Sequence, residues 1–114
     1  MRALTLALAA TATCLGCHAA QIGSLVASEA AIVADWQQTR CHAASGWRGT
    51  YEQNPLLGPA PSPHTVDLYM GGALVLNAAL WYVLPKGWNT AAASVVAGFE
   101  AHTVITNERN PCRS

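Results

Sequence analysis

From Leu68 to Leu84 the chain reads L-Y-M-G-G-A-L-V-L-N-A-A-L-W-Y-V-L, an apolar run without a charged side chain and with Asn77 near its centre. A helix from Pro63 to Leu84 rises by roughly 30 Å, the thickness of a bilayer core. A helix in a soluble bundle of this size needs a polar face, and this run has almost none, so the pattern predicts a transmembrane helix over about 63–84. Pro85-Lys86-Gly87 then turns the chain. Asn89 is the expected N-cap of a further helix over about 89–107, which must end before Pro111. Together the two segments predict a helical hairpin.

Upstream, Ile22, Leu25, Val26, Val33 and Trp36 recur at helical spacing and predict a helix over about 22–39. Beside them runs a stripe of small residues, Ser24, Ala27, Ser28, Ala31 and Ala34, leading to Asp35. Small residues four apart let helix backbones approach closely in lipid, and the hairpin carries matching stripes at Ser94 and Gly98 and at Ala93, Ala97 and Ala101. Glu29 opposes a span here, because a carboxylate at mid-bilayer is costly unless it is protonated, paired or faces a polar interior. Between this helix and the hairpin, prolines 55, 59 and 61 exclude helix and central strand. Ser62-Pro63 fits an N-cap followed by the first helical position.

Composition strengthens the membrane reading. Of 114 residues, 52% are hydrophobic and only 11% charged, and six basic side chains balance six acidic ones. That balance leaves no electrostatic footprint for nucleic acid. The expected partner is the lipid bilayer, with a membrane protein or a second copy of the chain as a further partner.

The N-terminus, Met1-Arg2 followed by A-L-T-L-A-L-A-A-T-A-T and Cys14-Leu15-Gly16-Cys17, has the layout of a secretory signal over residues 1–17, leaving 18–114 as one helical domain. Gly16-Cys17 resembles the lipobox of bacterial lipoproteins, which makes Cys17 a lipidation candidate, although Cys14 stands where that family prefers leucine. The same residues, Cys14-Leu15-Gly16-Cys17-His18, fit the C-x-x-C-H pattern of covalent haem attachment. That fit makes Cys14, Cys17 and His18 candidate haem residues. Their position against the signal's apolar run argues for the signal instead, and no cofactor is expected. The fold class that follows is all-α: a small helical membrane bundle, one helix plus a transmembrane hairpin, preceded by a signal-like or lipobox-like segment.

Asp35-Trp36-Gln37-Gln38-Thr39-Arg40, Tyr51-Glu52-Gln53-Asn54-Pro55-Leu56-Leu57-Gly58, Pro61-Ser62, Tyr69, Leu84-Pro85, Trp88, Glu100 and Asn107 resemble the pattern of a family of small, uncharacterised membrane proteins of bacteria and their prophages. The resemblance covers about residues 34–107. It implies a three-helix membrane architecture and no particular activity; Cys41, His42 and Cys112 are departures from it.

With Arg2 inside and the first segment leaving the cytoplasm, Cys17 lies outside, the Ile22 helix returns, the Pro63 helix leaves and the last helix returns. This order puts Arg40, Arg48, Arg109 and Arg113 inside and Lys86 outside, as the positive-inside bias prefers. Cys41 and Cys112 are then cytoplasmic thiols. In the alternative, a lipid-anchored periplasmic bundle, they are the natural disulfide pair.

Candidate chemistry converges at one end. Asp35, Gln38 and Thr39 share a helix face, as do Glu100, Thr103 and Asn107. With Glu52 and Asn54, and with His64 and Asp67 nearby, they form a candidate polar cluster at the bundle mouth. Two readings stand: an ion or proton site, or hydrogen bonds that hold helices together and cap the Asn54 turn. Cys41, His42, His64 and Cys112 are zinc-type ligands in no zinc-type spacing, so no metal site is assigned. No catalytic triad, phosphate loop or H-E-x-x-H arrangement is present. The functional expectation is a non-enzymatic inner-membrane protein acting by interaction, with a phage or prophage accessory role as one form of it. The alternatives are the periplasmic lipoprotein and a membrane-attached c-type haem protein. An arginine at Asn77 is expected to block insertion.

Overall fold

In a computed structural model of the chain, the backbone is described for residues 2–112 and the side chains for residues 18–112. Those residues form three helices and no strand: α1 (Arg2–Ala44), α2 (Pro63–Val83) and α3 (Trp88–Asn107). The all-α expectation holds, and one helix, α2, is long and apolar enough to cross a membrane.

α1 departs from the expected division. It runs 43 residues without a break, through both the signal-like segment and the helix expected from Ile22. The physical reason is the lack of any breaker: the first proline of the chain is Pro55, and the alanine-rich sequence before it favours helix throughout.

α1 ends by specific turn chemistry. Gly46, at φ 73°, donates its N–H to Ala43 O, and Trp47 donates to His42 O at 2.9 Å. That pair of bonds is the Schellman arrangement, and its usual apolar contact is here the stacking of Trp47 on His42, ring centres 5.9 Å apart. Trp47 Nε1 also donates to Pro61 O, tying the loop's two ends together. α2 starts as expected, with Ser62 Oγ accepting from Thr65 N and Pro63 in the first turn. α3 does not: its N-cap is Gly87, at φ 90°, and Asn89 lies inside the helix. Asn89 is instead buried against the hairpin turn, where its Nδ2 donates to Trp81 O.

α1 lies between the other two helices, antiparallel to α2 and parallel to α3, in a body of 69 × 27 × 17 Å. Among the described residues, Ser28, Ile32, Asp35, Thr39 and Ala43 are the buried positions of α1; Ile32 and Ala43 cluster with Val66 and Met70 of α2, Ser28 bonds to Asn77 of α2, and α3 buries Asn89 and Ala93. Of the small-residue stripes, Ala93 is packed inward while Ser94 and Gly98 face outward.

The interior is mixed and much of the exterior is apolar. Among the described residues five polar side chains are buried (Ser28, Asp35, Thr39, Asn77 and Asn89) beside six apolar ones, while Val26, Leu68, Val75, Leu76, Tyr82, Val83, Val95 and Phe99 are exposed. Polar rungs join α1 to α2 along their length. Trp81 Nε1 donates to Gln21 O, Asn77 Nδ2 to Ser28 Oγ and Glu29 Oε1, and both Trp36 Nε1 and Arg40 Nε to Asp67 Oδ1.

Candidate functional site

At the end of the three-helix body where α1 and α3 finish, the chain is cross-linked. Cys41 in the last turn of α1 and Cys112 beyond α3 form a disulfide, with Cα atoms 6.0 Å apart. This corrects the expectation of free thiols. It also removes both sulfurs from the zinc arrangement with His42 and His64, and His64 is exposed on the first turn of α2. Among the described residues no three His, Cys, Asp or Glu side chains are placed to hold a metal ion.

Inside the cross-link lies a cavity of about 530 Å³. α1 supplies Asp35, Thr39 and His42; α2 supplies Tyr69 and Met70; α3 supplies its outer face from Phe99 to Asn107; and the loop from Trp47 to Leu56 covers them. Helical periodicity explains why these side chains converge. Asp35 and Thr39 are one turn apart on α1, and Glu100, Thr103 and Asn107 follow on one face of α3, so two parallel helices bring both rows to the same groove.

The polar contacts centre on Asp35, which is 6% exposed. Its Oδ1 accepts from Asn107 Nδ2 at 3.2 Å and from Thr39 Oγ1 at 3.4 Å. The Glu100 carboxyl lies within hydrogen-bond reach of the Asp35 carboxyl. Gln38 joins the same interface differently, with its Nε2 donating to Val104 O at 3.3 Å. Two acceptors in this region, Glu100 Oε2 and Gln38 Oε1, are buried without a donor.

Glu52 and Asn54 line the cavity while they build its cover. Glu52 Oε1 accepts from Asn54 N, Asn54 Oδ1 accepts from Leu56 N, and Leu57 N donates to Asn54 O, closing a turn around Pro55. Glu52 N donates to Pro59 O across the loop. Of the seven cluster residues, Asp35, Thr39, Glu52, Asn54, Glu100 and Asn107 thus line one cavity, and Gln38 sits at the α1–α3 contact beside it. Asp67 does not join them. Arg40 draws it to the α1–α2 side by a 2.7 Å ion pair. The same Asp67 Oδ1 also accepts from Trp36 Nε1 at 2.8 Å.

The lipidation candidate Cys17 and the haem candidates Cys14 and Cys17 lie outside the described side chains; His18 is exposed on α1. Sequence reasoning missed the cavity's aromatic wall of Trp47, Tyr51, Tyr69 and Phe99. It also missed the pairing of Asn77 with Glu29, although a lone amide and a lone carboxyl in two apolar segments were a signal for it. Compared with known proteins, the chain matches no family model, no curated protein and no solved structure.

Proposed function

We propose that this chain is a small inner-membrane protein that acts by interaction rather than catalysis, and that presents its cross-linked, cavity-bearing end to the oxidising side. The observation that supports the placement is the apolar exterior: Leu68, Val75, Leu76, Val83 and Val95 face outward while polar side chains such as Ser28, Asn77 and Asn89 lie in the seams between helices. Lipid tolerates that exterior, and helices satisfy their own backbone groups within it.

The disulfide supports an orientation: disulfides persist in oxidising compartments and are rare in the cytoplasm, which favours the outer side for Cys41 and Cys112. With α1 unbroken, Arg2 lies inside, α1 leaves the cytoplasm, α2 returns, the Lys86 turn is inside and α3 leaves again. This order places Arg40, Arg48 and Arg109 outside, against the positive-inside bias. The bias is statistical, Arg40 is already paired with Asp67, and a disulfide is a chemical requirement, so the disulfide carries more weight. A lipid-anchored periplasmic bundle is the second reading, because it exposes the same two cysteines to the same compartment. A prophage accessory role remains the form of interaction that the sequence resemblance suggests.

Extraction of membranes with alkaline carbonate separates the readings. The full chain and a Cys17→Ala variant should both remain in the membrane pellet. Release of the Cys17→Ala variant would move the chain to the lipid-anchored reading, and release of the full chain would remove both.

A further inference from the structure

We propose that the cavity under the 47–56 loop binds a primary ammonium group, held between the Asp35 and Glu100 carboxyls and the aromatic walls. The cavity, about 530 Å³, falls within the roughly 300–1,000 Å³ of small-ligand sites. Its chemistry is complementary to a cation. The floor carries Asp35 and Glu100, the cover carries Glu52, and no lysine or arginine lines it. Trp47, Tyr51, Tyr69 and Phe99 supply ring faces or edges around the same space, and aromatic faces attract cations. His42 and His102 also line it, His42 with its ring stacked on Trp47.

The unmet hydrogen-bonding capacity points the same way. Both side-chain bonds to Asp35 fall on Oδ1, and Glu100 Oε2 is buried without a donor. Two carboxyls within reach of each other share one proton, and an ammonium group can take that proton's place between them. A primary ammonium brings three N–H donors and a positive charge, so it can serve both carboxyls at once. A metal ion fits less well, since no three His, Cys, Asp or Glu ligands converge among the described residues. An anion would meet three carboxyls. The ammonium group has two sources, a free amine or the ethanolamine headgroup of a lipid. The proposal depends on the arrangement of the helices and not on the membrane reading, so it is tested in detergent.

The test is calorimetric titration of the full chain, in dodecyl maltoside, with propylammonium chloride, using sodium chloride of equal ionic strength as the blank. Saturable binding is expected. Glu100→Gln should weaken it roughly tenfold, the loss of one charge-assisted hydrogen bond. Phe99→Leu, at an exposed cavity-lining position, should weaken it roughly threefold by removing the aromatic ring. Circular dichroism of each variant checks that the helices persist, and the Phe99→Leu result stands if Glu100→Gln fails to fold. Absence of saturable heat with the unaltered chain, or affinity unchanged in every folded variant, overturns the proposal. Short-chain phosphatidylethanolamine and phosphatidylglycerol are then added as competitors. Competition by the ethanolamine lipid alone identifies a headgroup site, and competition by neither identifies a free amine. Equal competition by both would show recognition of something other than the ammonium, and would also overturn it.

Discussion

Asn77 Nδ2 donates to Glu29 Oε1 at 2.6 Å and to Ser28 Oγ at 2.8 Å, so the one polar residue near the centre of the apolar run meets the one carboxyl of the α1 segment facing it. This changes what a charge at position 77 should do. Asn77→Arg places its guanidinium beside Glu29 and should still integrate, contrary to the expectation from sequence. Leu76→Arg, on the 59% exposed neighbour, has no partner and should fail. Carbonate extraction of the two variants side by side reads the contrast. Equal failure of both would mean that the Asn77 seam does not form.

Replacing the same amide by a shape-matched apolar group isolates the bond. Asn77→Leu should integrate but leave the Glu29 carboxyl and Ser28 hydroxyl without their α2 partner. The expected loss is about 1–2 kcal/mol, near the upper end of interhelical hydrogen bonds in lipid. Unfolding by a denaturing detergent measures it, and Ser28→Ala combined with Asn77→Leu should cost less than the sum of the singles.

The cross-link is a test of compartment as well as of stability. Cys41 and Cys112 are 71 residues apart, and closing a loop of that length restricts the unfolded chain by about 4 kcal/mol in the chain-entropy description. Cys112→Ser should therefore lower the unfolding midpoint. In spheroplasts of the unaltered chain, an impermeant maleimide should label both cysteines only after an impermeant reductant. Labelling that also requires lysis of the inner membrane would put this end in the cytoplasm and reverse the orientation proposed above.

The end of α1 depends on a left-handed residue. Gly46, at φ 73°, has open space around its missing Cβ, so Gly46→Ala should meet backbone strain alone. The cost should be about 1 kcal/mol, seen in thermal unfolding, with the helices otherwise unchanged.

Local sequence determined much of this protein. The α2 helix, its Ser62-Pro63 start and the proline-rich connection follow from backbone geometry and side-chain periodicity, which act over a few residues. The rows Asp35, Thr39 and Glu100, Asn107 were likewise legible, because helical spacing assigns each to a face. The absence of any proline before Pro55 was equally visible, and α1 runs unbroken through Cys17. Tertiary structure decided what those faces meet. That Asn77 finds Glu29, that Asp67 turns to Arg40 and away from the cavity, and that Cys41 reaches Cys112 depend on the offset between antiparallel and parallel helices. That offset is the sum of many weak packing contacts spread along three helices, and no short stretch of sequence carries it.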